Sequence, residues 1–189
     1  MAAQTRLPRW RGFNLTERIG IKSQECFREE DFQLISELGF DFVRLPLCYR
    51  LWVNTPEDPE DRESINEAAL APLDQALEWG AKYGLHVCLN FHRGPGYSVN
   101  KDWKEPGFLW KRSRSLSAFK FHWAAFAKRY RGIPSERLSF NLLNEPPKAQ
   151  LQPPDKPEAW VMTREDHARV MREAVSSIRA VDSGRLVIL

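Results

Sequence analysis

Leu138-Ser-Phe-Asn-Leu-Leu-Asn-Glu-Pro146 is a short apolar run that ends in a carboxylate, with a second proline, Pro147, directly behind it. The run has the length and apolarity of a buried strand, and the prolines forbid both more ladder and an immediate helix. Glu145 is thereby set at a strand end, where a site can be built. A half-buried carboxylate is unfavourable there unless it is paired, solvated or used, and one that keeps its proton can act as a general acid. The plain alternative is a surface loop residue beside a turn, so the rest of the chain has to decide.

Working back towards the N-terminus, Trp10 to Leu15 reads as a first short strand. Phe32, Ile35 and Leu38, closed by Gly39, mark a helix that starts near Glu29. Phe40 to Leu45 is a second strand, expected to end at Pro46. Leu51 to Ser64, with its acidic residues beside Pro56 and Pro59, reads as a solvated loop. Leu70, Leu73, Leu77 and Ala81 give the next helix, stopped at Gly84. Leu85 to His92 is a third strand, with Val87, Leu89 and Phe91 on one face and His86, Cys88, Asn90 and His92 on the other. A long loop, Arg93 to Arg114, carries Tyr97, Trp103 and Trp110.

Leu116, Phe119, Trp123, Phe126 and Tyr130 then repeat at helical steps. After the opening run and a Pro-rich loop holding Trp160, Thr163-Arg-Glu-Asp166 has the pattern of a helix start, and Val170, Ala174, Ile178 and Val181 form its buried stripe. Leu186 to Leu189 reads as a fifth strand. Alternating strands and helices imply right-handed crossovers and a parallel sheet. The connections from helix to strand are short, whereas those from strand to helix are long, aromatic and polar. That asymmetry favours a (β/α)8 barrel of TIM type, with about the first four and a half units present, because a barrel gathers the long loops at the face that carries active sites. No glycine-rich phosphate loop follows the first strand, which places a nucleotide-binding sheet behind the barrel.

The 189 residues suit a single domain, 1–189, with a sizeable core and an ordinary apolar fraction of 42%. A formal charge of +3 with 28% charged residues is too mild and too evenly mixed for nucleic acid or an anionic membrane as partner. Cys26, Cys48 and Cys88 are widely spaced, with no Cys-x-x-Cys pair and no histidine at metal-ligand spacing, so free buried thiols and neither metal nor cofactor are expected. The first ten residues hold no apolar stretch of signal-peptide length and no run is long enough to span a membrane. The expectation is a soluble chain, either cytoplasmic or trimmed from a secreted form.

Asn14, Arg44, His92 and then Asn144 with Glu145 fall at the same end of successive strands. Val43-Arg44-Leu45-Pro46, Asn90-Phe-His92 and Leu143-Asn-Glu-Pro146, in that order, resemble glycoside hydrolase family 5, the cellulase-like retaining barrel hydrolases. Arg11-Gly-Phe-Asn14 and Tyr83-Gly-Leu-His-Val87 share the resemblance, which runs from about Arg11 to Leu189. It implies that Glu145 is the acid/base, that Asn144 bonds the sugar 2-hydroxyl, that Arg44 stands beside the nucleophilic carboxylate and that His92 lines the subsite of the cleaved sugar. The implied substrate is a β-linked oligo- or polysaccharide. Trp103, Trp110 and Trp160 are candidates to stack on sugar faces or simply to pack their loops, and Asn14 and Glu17 are further candidates near the first strand's end. His86, deeper in its strand, is expected in the core. Strict alternation would send Asn144 and Glu145 to opposite faces, so both serve one site only if the strand loses its pleat there.

A retaining hydrolase needs a second carboxyl about 5 Å from the first. The family carries it on a later strand, and the sequence offers no substitute. The expectation is therefore the N-terminal portion of a catalytic domain, inactive by itself, with the C-terminal half of the barrel missing. Two other readings stay open: a non-catalytic carbohydrate-binding barrel fragment, and an unrelated barrel enzyme that uses His92 as base or ligand.

Overall fold

The computed structural model describes residues 7–23, 25–99, 105–146 and 161–189. Five parallel strands form one sheet: β1 (Gly12–Asn14), β2 (Phe42–Cys48), β3 (His86–Gly94), β5 (Leu138–Asn141) and β6 (Leu186–Ile188), hydrogen-bonded in that order. A two-residue strand, β4 (Tyr97–Ser98), folds back antiparallel on the end of β3. The helices α1 (Glu29–Glu37), α2 (Ala71–Lys82), α3 (Ser113–Arg129) and α4 (Arg164–Arg179) alternate with the parallel strands. The order of neighbours never reverses, as it would at the switch point of a doubly wound sheet. The arrangement is a partial (β/α)8 barrel.

Register explains which face the helices cover. Val43, Val87 and Leu138 lie side by side, as do Leu45, Leu89 and Phe140, and all are buried in the apolar core. Trp123 of α3 stacks on Phe91 at 4.0 Å and tilts against Phe140 at 5.1 Å. The opposite face carries Arg44, Cys88 and Ser139 in one row and Pro46, Asn90 and Asn141 in the next, the polar and small side chains expected of a narrow barrel interior. Gly80 lets α2 approach the sheet, since a Cβ there would run into Cγ2 of Val87. The predicted helix stop is present, with Gly39 at φ 78°. So is the predicted start of α4: the Thr163 hydroxyl accepts from the Asp166 amide, and the Asp166 carboxylate from the Thr163 amide.

Three expectations need correction. β2 does not stop at Pro46 but runs on to Cys48. The backbone groups of Arg44 and Cys48 point towards the β1 side, bonding Leu15 and Arg18, so Pro46 between them directs its missing N–H to that side, beyond the end of β1, where no ladder bond is lost. The acidic segment is not simply solvated. Arg50, fully buried, donates to the carbonyls of Asp58, Asp61 and Pro59 at 2.7, 3.0 and 3.2 Å and pairs with buried Glu105 at 3.3 Å. Finally, Cys26 is exposed, although Cys48 and Cys88 are buried and all three are free. Burial pushes the Cys48 thiol up to about 12, which leaves it inert.

Candidate active site

The concave face is organised by the half-buried Arg44. Its Nε and Nη2 donate to Oδ1 of Asn141 at 3.1 and 3.0 Å, Nη2 also to Oδ1 of Asn144 at 2.9 Å, and Nη1 to Oδ1 of Asn14 at 3.3 Å. One guanidinium thus joins β1, β2, β5 and the turn after β5. Its planar fork directs five N–H donors in fixed directions, whereas a lysine carries three rotatable donors on one nitrogen. Burial lowers its pKa, and the charge of Glu145 works in the other direction. Among the described residues no carboxylate forms an ion pair with it.

The pleat of β5 is lost before Asn144 is reached. Regular pairing of β5 ends at Asn141, and the next two residues, Leu142 and Leu143, are both buried, so alternation has stopped. The Asn144 amide still reaches the Phe91 carbonyl at 3.0 Å. Glu145 then turns to φ 44°, the single positive φ of a non-glycine residue among those described. Its neighbour Asn144 faces Arg44 as a result. The half-burial expected of Glu145 is not found: the residue is exposed, because the left-handed turn carries its side chain out of the sheet and no described element lies over it.

His92 is half-buried at the end of the same face, with its Nδ1 buried and without a partner among the described residues. Burial, and then the charges of Arg44 and Arg93, lower it to about 4, so the ring is neutral near pH 7. His86 is the expected core residue: its two nitrogens meet the Glu136 carbonyl at 3.0 Å and the Ser139 hydroxyl at 2.7 Å. Asn14 is exposed beside Arg44. Glu17 lies elsewhere, lining a separate hollow of about 410 Å³ with Thr16, Lys22, Ser23 and Glu25.

Trp110 is not a sugar platform. It is fully buried, stacked on His167 at 5.7 Å and edge-on to Tyr97, and its carbonyl takes the Arg169 guanidinium. An aromatic ring in a loop packs inward when the loop folds back on a helix, and here it folds onto α4. Trp103 and Trp160 lie outside the described residues.

Two residues at this face were not singled out from sequence. Asn141 accepts from Arg44 and also from Asn90, whose Nδ2 donates to its carbonyl at 3.1 Å and its Oδ1 at 2.9 Å. Alternation could have found it, since Ser139 and Asn141 share the face of Cys88 and Asn90. Tyr97 is fully buried, and its hydroxyl lies 2.8 and 2.6 Å from the carbonyl oxygens of Asn144 and Glu145. No local pattern announces that contact, which depends on the β3–β4 turn. No group of three His, Cys, Asp or Glu residues able to hold a metal occurs among the described residues.

The description "Cellulase (glycosyl hydrolase family 5)" belongs to the family model that matches residues 2–189. Endoglucanase C of Acetivibrio thermocellus is 34% identical over 157 residues, which are 83% of this chain and 40% of that protein. A crystal structure of a glycoside hydrolase superposes with a TM-score of 0.81 at 31% identity, covering 93% of this chain and 51% of that one. Thermotoga maritima Cel5A, in a mutant form complexed with cellobiose, shares the fold at a TM-score of 0.65 and 21% identity, with coverage of 93% and 50%. The chain therefore spans about half or less of the length of these relatives. This chain, a parallel half-barrel with Arg44 inside β2, His92 near the end of β3, Asn144-Glu145 just past β5 and a family match along almost its whole length, belongs to glycosyl hydrolase family 5, the cellulases.

Proposed function

We propose that this chain supplies the acid/base side of a retaining hydrolase acting on β-linked glycans, of the cellulase or β-glucanase kind. Glu145 is the acid/base. In the first step its carboxyl proton passes to the glycosidic oxygen, the bond from that oxygen to the anomeric carbon breaks, and a second carboxylate bonds to the anomeric carbon. In the next step the Glu145 carboxylate takes a proton from water, the water oxygen attacks the anomeric carbon, and the nucleophile is released. Asn144 bonds the 2-hydroxyl of the reacting sugar, His92 lines the subsite of that same sugar, and Asn14 stands beside Arg44 at the edge of the site.

The observation that carries this reading is the left-handed turn at Glu145, directly after an asparagine tied to Arg44. Strained backbone of this kind persists where surrounding contacts fix it and clusters at functional sites. Arg44 supports the other half of the chemistry. A half-buried cation surrounded by amide oxygens favours an anionic neighbour. In this reading that neighbour is the nucleophile, carried by barrel units that the longer relatives have and these residues do not span.

The test is Glu145→Gln in the full-length protein. Turnover of unactivated polysaccharide should vanish, with partial rescue on substrates whose leaving group needs no proton; unchanged turnover of polysaccharide would end the proposal. A second reading, a barrel that binds carbohydrate without cleaving it, draws on the lack of a carboxylate paired with Arg44 among the described residues. Saturable binding of oligosaccharide with no product from the full-length protein would favour it.

A further inference from the structure

Glu145 adopts φ 44°, a conformation that costs a non-glycine residue about 1–2 kcal/mol and needs outside support. Among the described residues no hydrogen bond holds its carboxyl. Its peptide is held instead. The Asn144 and Glu145 carbonyls accept no backbone N–H among the described residues, and each lies within reach of one hydroxyl, that of Tyr97, at 2.8 and 2.6 Å. We infer that Tyr97 is a positioning residue for the reaction, one that fixes the direction of the Glu145 carboxyl by holding the two carbonyls that frame its backbone turn. The inference rests on the reading of Glu145 as acid/base.

Tyr97 is built to hold still. Its ring is fully buried, its residue pairs with Gly94 in the short antiparallel ladder, and Trp110 closes it from one side at 6.4 Å. The ladder is reached through a turn at Gly96, φ 73°, where a Cβ would press into Ser115 of α3. The hydroxyl is a permanent donor, because burial and then the charge of Glu145 raise its pKa. A single proton is shared between two acceptors, so the contact resists rotation of the peptide between Asn144 and Glu145. Without it that peptide can relax towards ordinary φ, and the carboxyl swings with it. Proton transfer depends steeply on such placement.

Tyr97→Phe in the full-length protein removes the hydroxyl and keeps the ring. With cello-oligosaccharide, whose leaving group needs a proton, kcat/KM should fall on the order of 100-fold, the effect of misplacing a reacting group by about 1 Å. With 2,4-dinitrophenyl β-cellobioside, whose leaving group needs none, it should stay within roughly threefold, since the acid contributes little there. Restoring a donor by 4-aminophenylalanine at position 97 should recover much of the loss. Equal losses on both substrates, no loss on either, or no recovery in a folded protein would overturn the inference. Glu145→Gln assayed in parallel separates the two ideas. If it spares cello-oligosaccharide turnover, the acid/base reading fails and this inference with it; if it shows the leaving-group dependence and Tyr97→Phe does not, only the role of Tyr97 fails.

Discussion

Nη2 of Arg44 donates to Oδ1 of Asn144 at 2.9 Å, so the middle of β2 is tied directly to the residue before Glu145. The same nitrogen also serves Asn141, and Nη1 serves Asn14, which makes this guanidinium the joint between three strands and the turn. A point charge on a flexible stem cannot reproduce that fork. Arg44→Lys should therefore keep the fold while loosening Asn144. Hydrogen bonds to a charged group contribute about 1.5–3 kcal/mol each. Loss of one in the transition state would lower kcat/KM roughly 10- to 100-fold, measured in the full-length protein with its melting temperature as control. A rate within threefold of the parent would show that the fork does not position Asn144.

The 189 residues expressed alone should release no reducing sugar from β-glucan and should self-associate. β1 and β6 are sheet edges, and Phe13 on β1 and Ile188 on β6 are exposed, as are Leu189 just past β6 and Leu34 and Leu38 at α1. Unpaired edges with apolar side chains template association. Gel filtration and a reducing-sugar assay check both points, and a clean monomer with turnover would contradict them.

What the sequence announced was local and periodic. Val87, Leu89 and Phe91 against Cys88 and Asn90, the stop at Gly39 and the cap at Thr163 each follow from one residue's own backbone or from spacing along one element. The errors fall where a neighbour decides. Pro46 stays in its strand only because β1 is short. Trp110 turns inward only because α4 offers a surface, and Arg50 orders the acidic loop only because Glu105 neutralises it from the far end of another loop. At the site, Arg44 and Asn144-Glu145 were legible as a motif and Asn141 was open to alternation along β5, whereas Tyr97 emerged only from packing.

The Arg50–Glu105 pair gives a stability prediction. Both side chains are fully buried, and Tyr49 donates to the same carboxylate at 2.7 Å. Removing one partner strands a charge away from water, which costs about 3–5 kcal/mol. Glu105→Ala should lose that much in denaturant unfolding. Arg114→Ala, which breaks only the exposed pair with Glu60, should change little, because such pairs are worth little in water. Comparable effects from the two would mean that burial is not what sets the cost.

Gly80 sets two small terms against each other. Alanine is favoured over glycine inside a helix by about 1 kcal/mol, but here its Cβ would strike Val87 in β3, and overpacking a core costs about 1–3 kcal/mol. The steric term should win, so Gly80→Ala lowers the urea midpoint; a raised midpoint would show that α2 can move off the sheet without loss.

His122 predicts the response to acid. The ring is fully buried, accepting at Nδ1 from Nε1 of Trp52 at 3.2 Å and donating from Nε2 to the Arg62 carbonyl at 2.8 Å, an arrangement only the neutral ring can make. Burial lowers it to about 4; the Arg62 carbonyl opposes, Arg50 adds to the lowering and Asp61 counters it. The unfolded ring takes up a proton near pH 6.5, whereas the folded ring resists until about pH 4. Below pH 6.5 the unfolded state therefore binds more protons, and the contribution of His122, whole above that pH, is lost as pH falls and levels off below about 4. The amount is on the order of 3 kcal/mol. His92, also lowered, adds a weaker trend of the same sign because it is half-exposed. His122→Leu leaves Trp52 and Arg62 unpaired and so is less stable at neutral pH, but it cannot titrate. Urea unfolding from pH 7 to pH 4 should show the gap between parent and variant narrowing as the solution becomes more acidic, and a constant gap would refute the assignment.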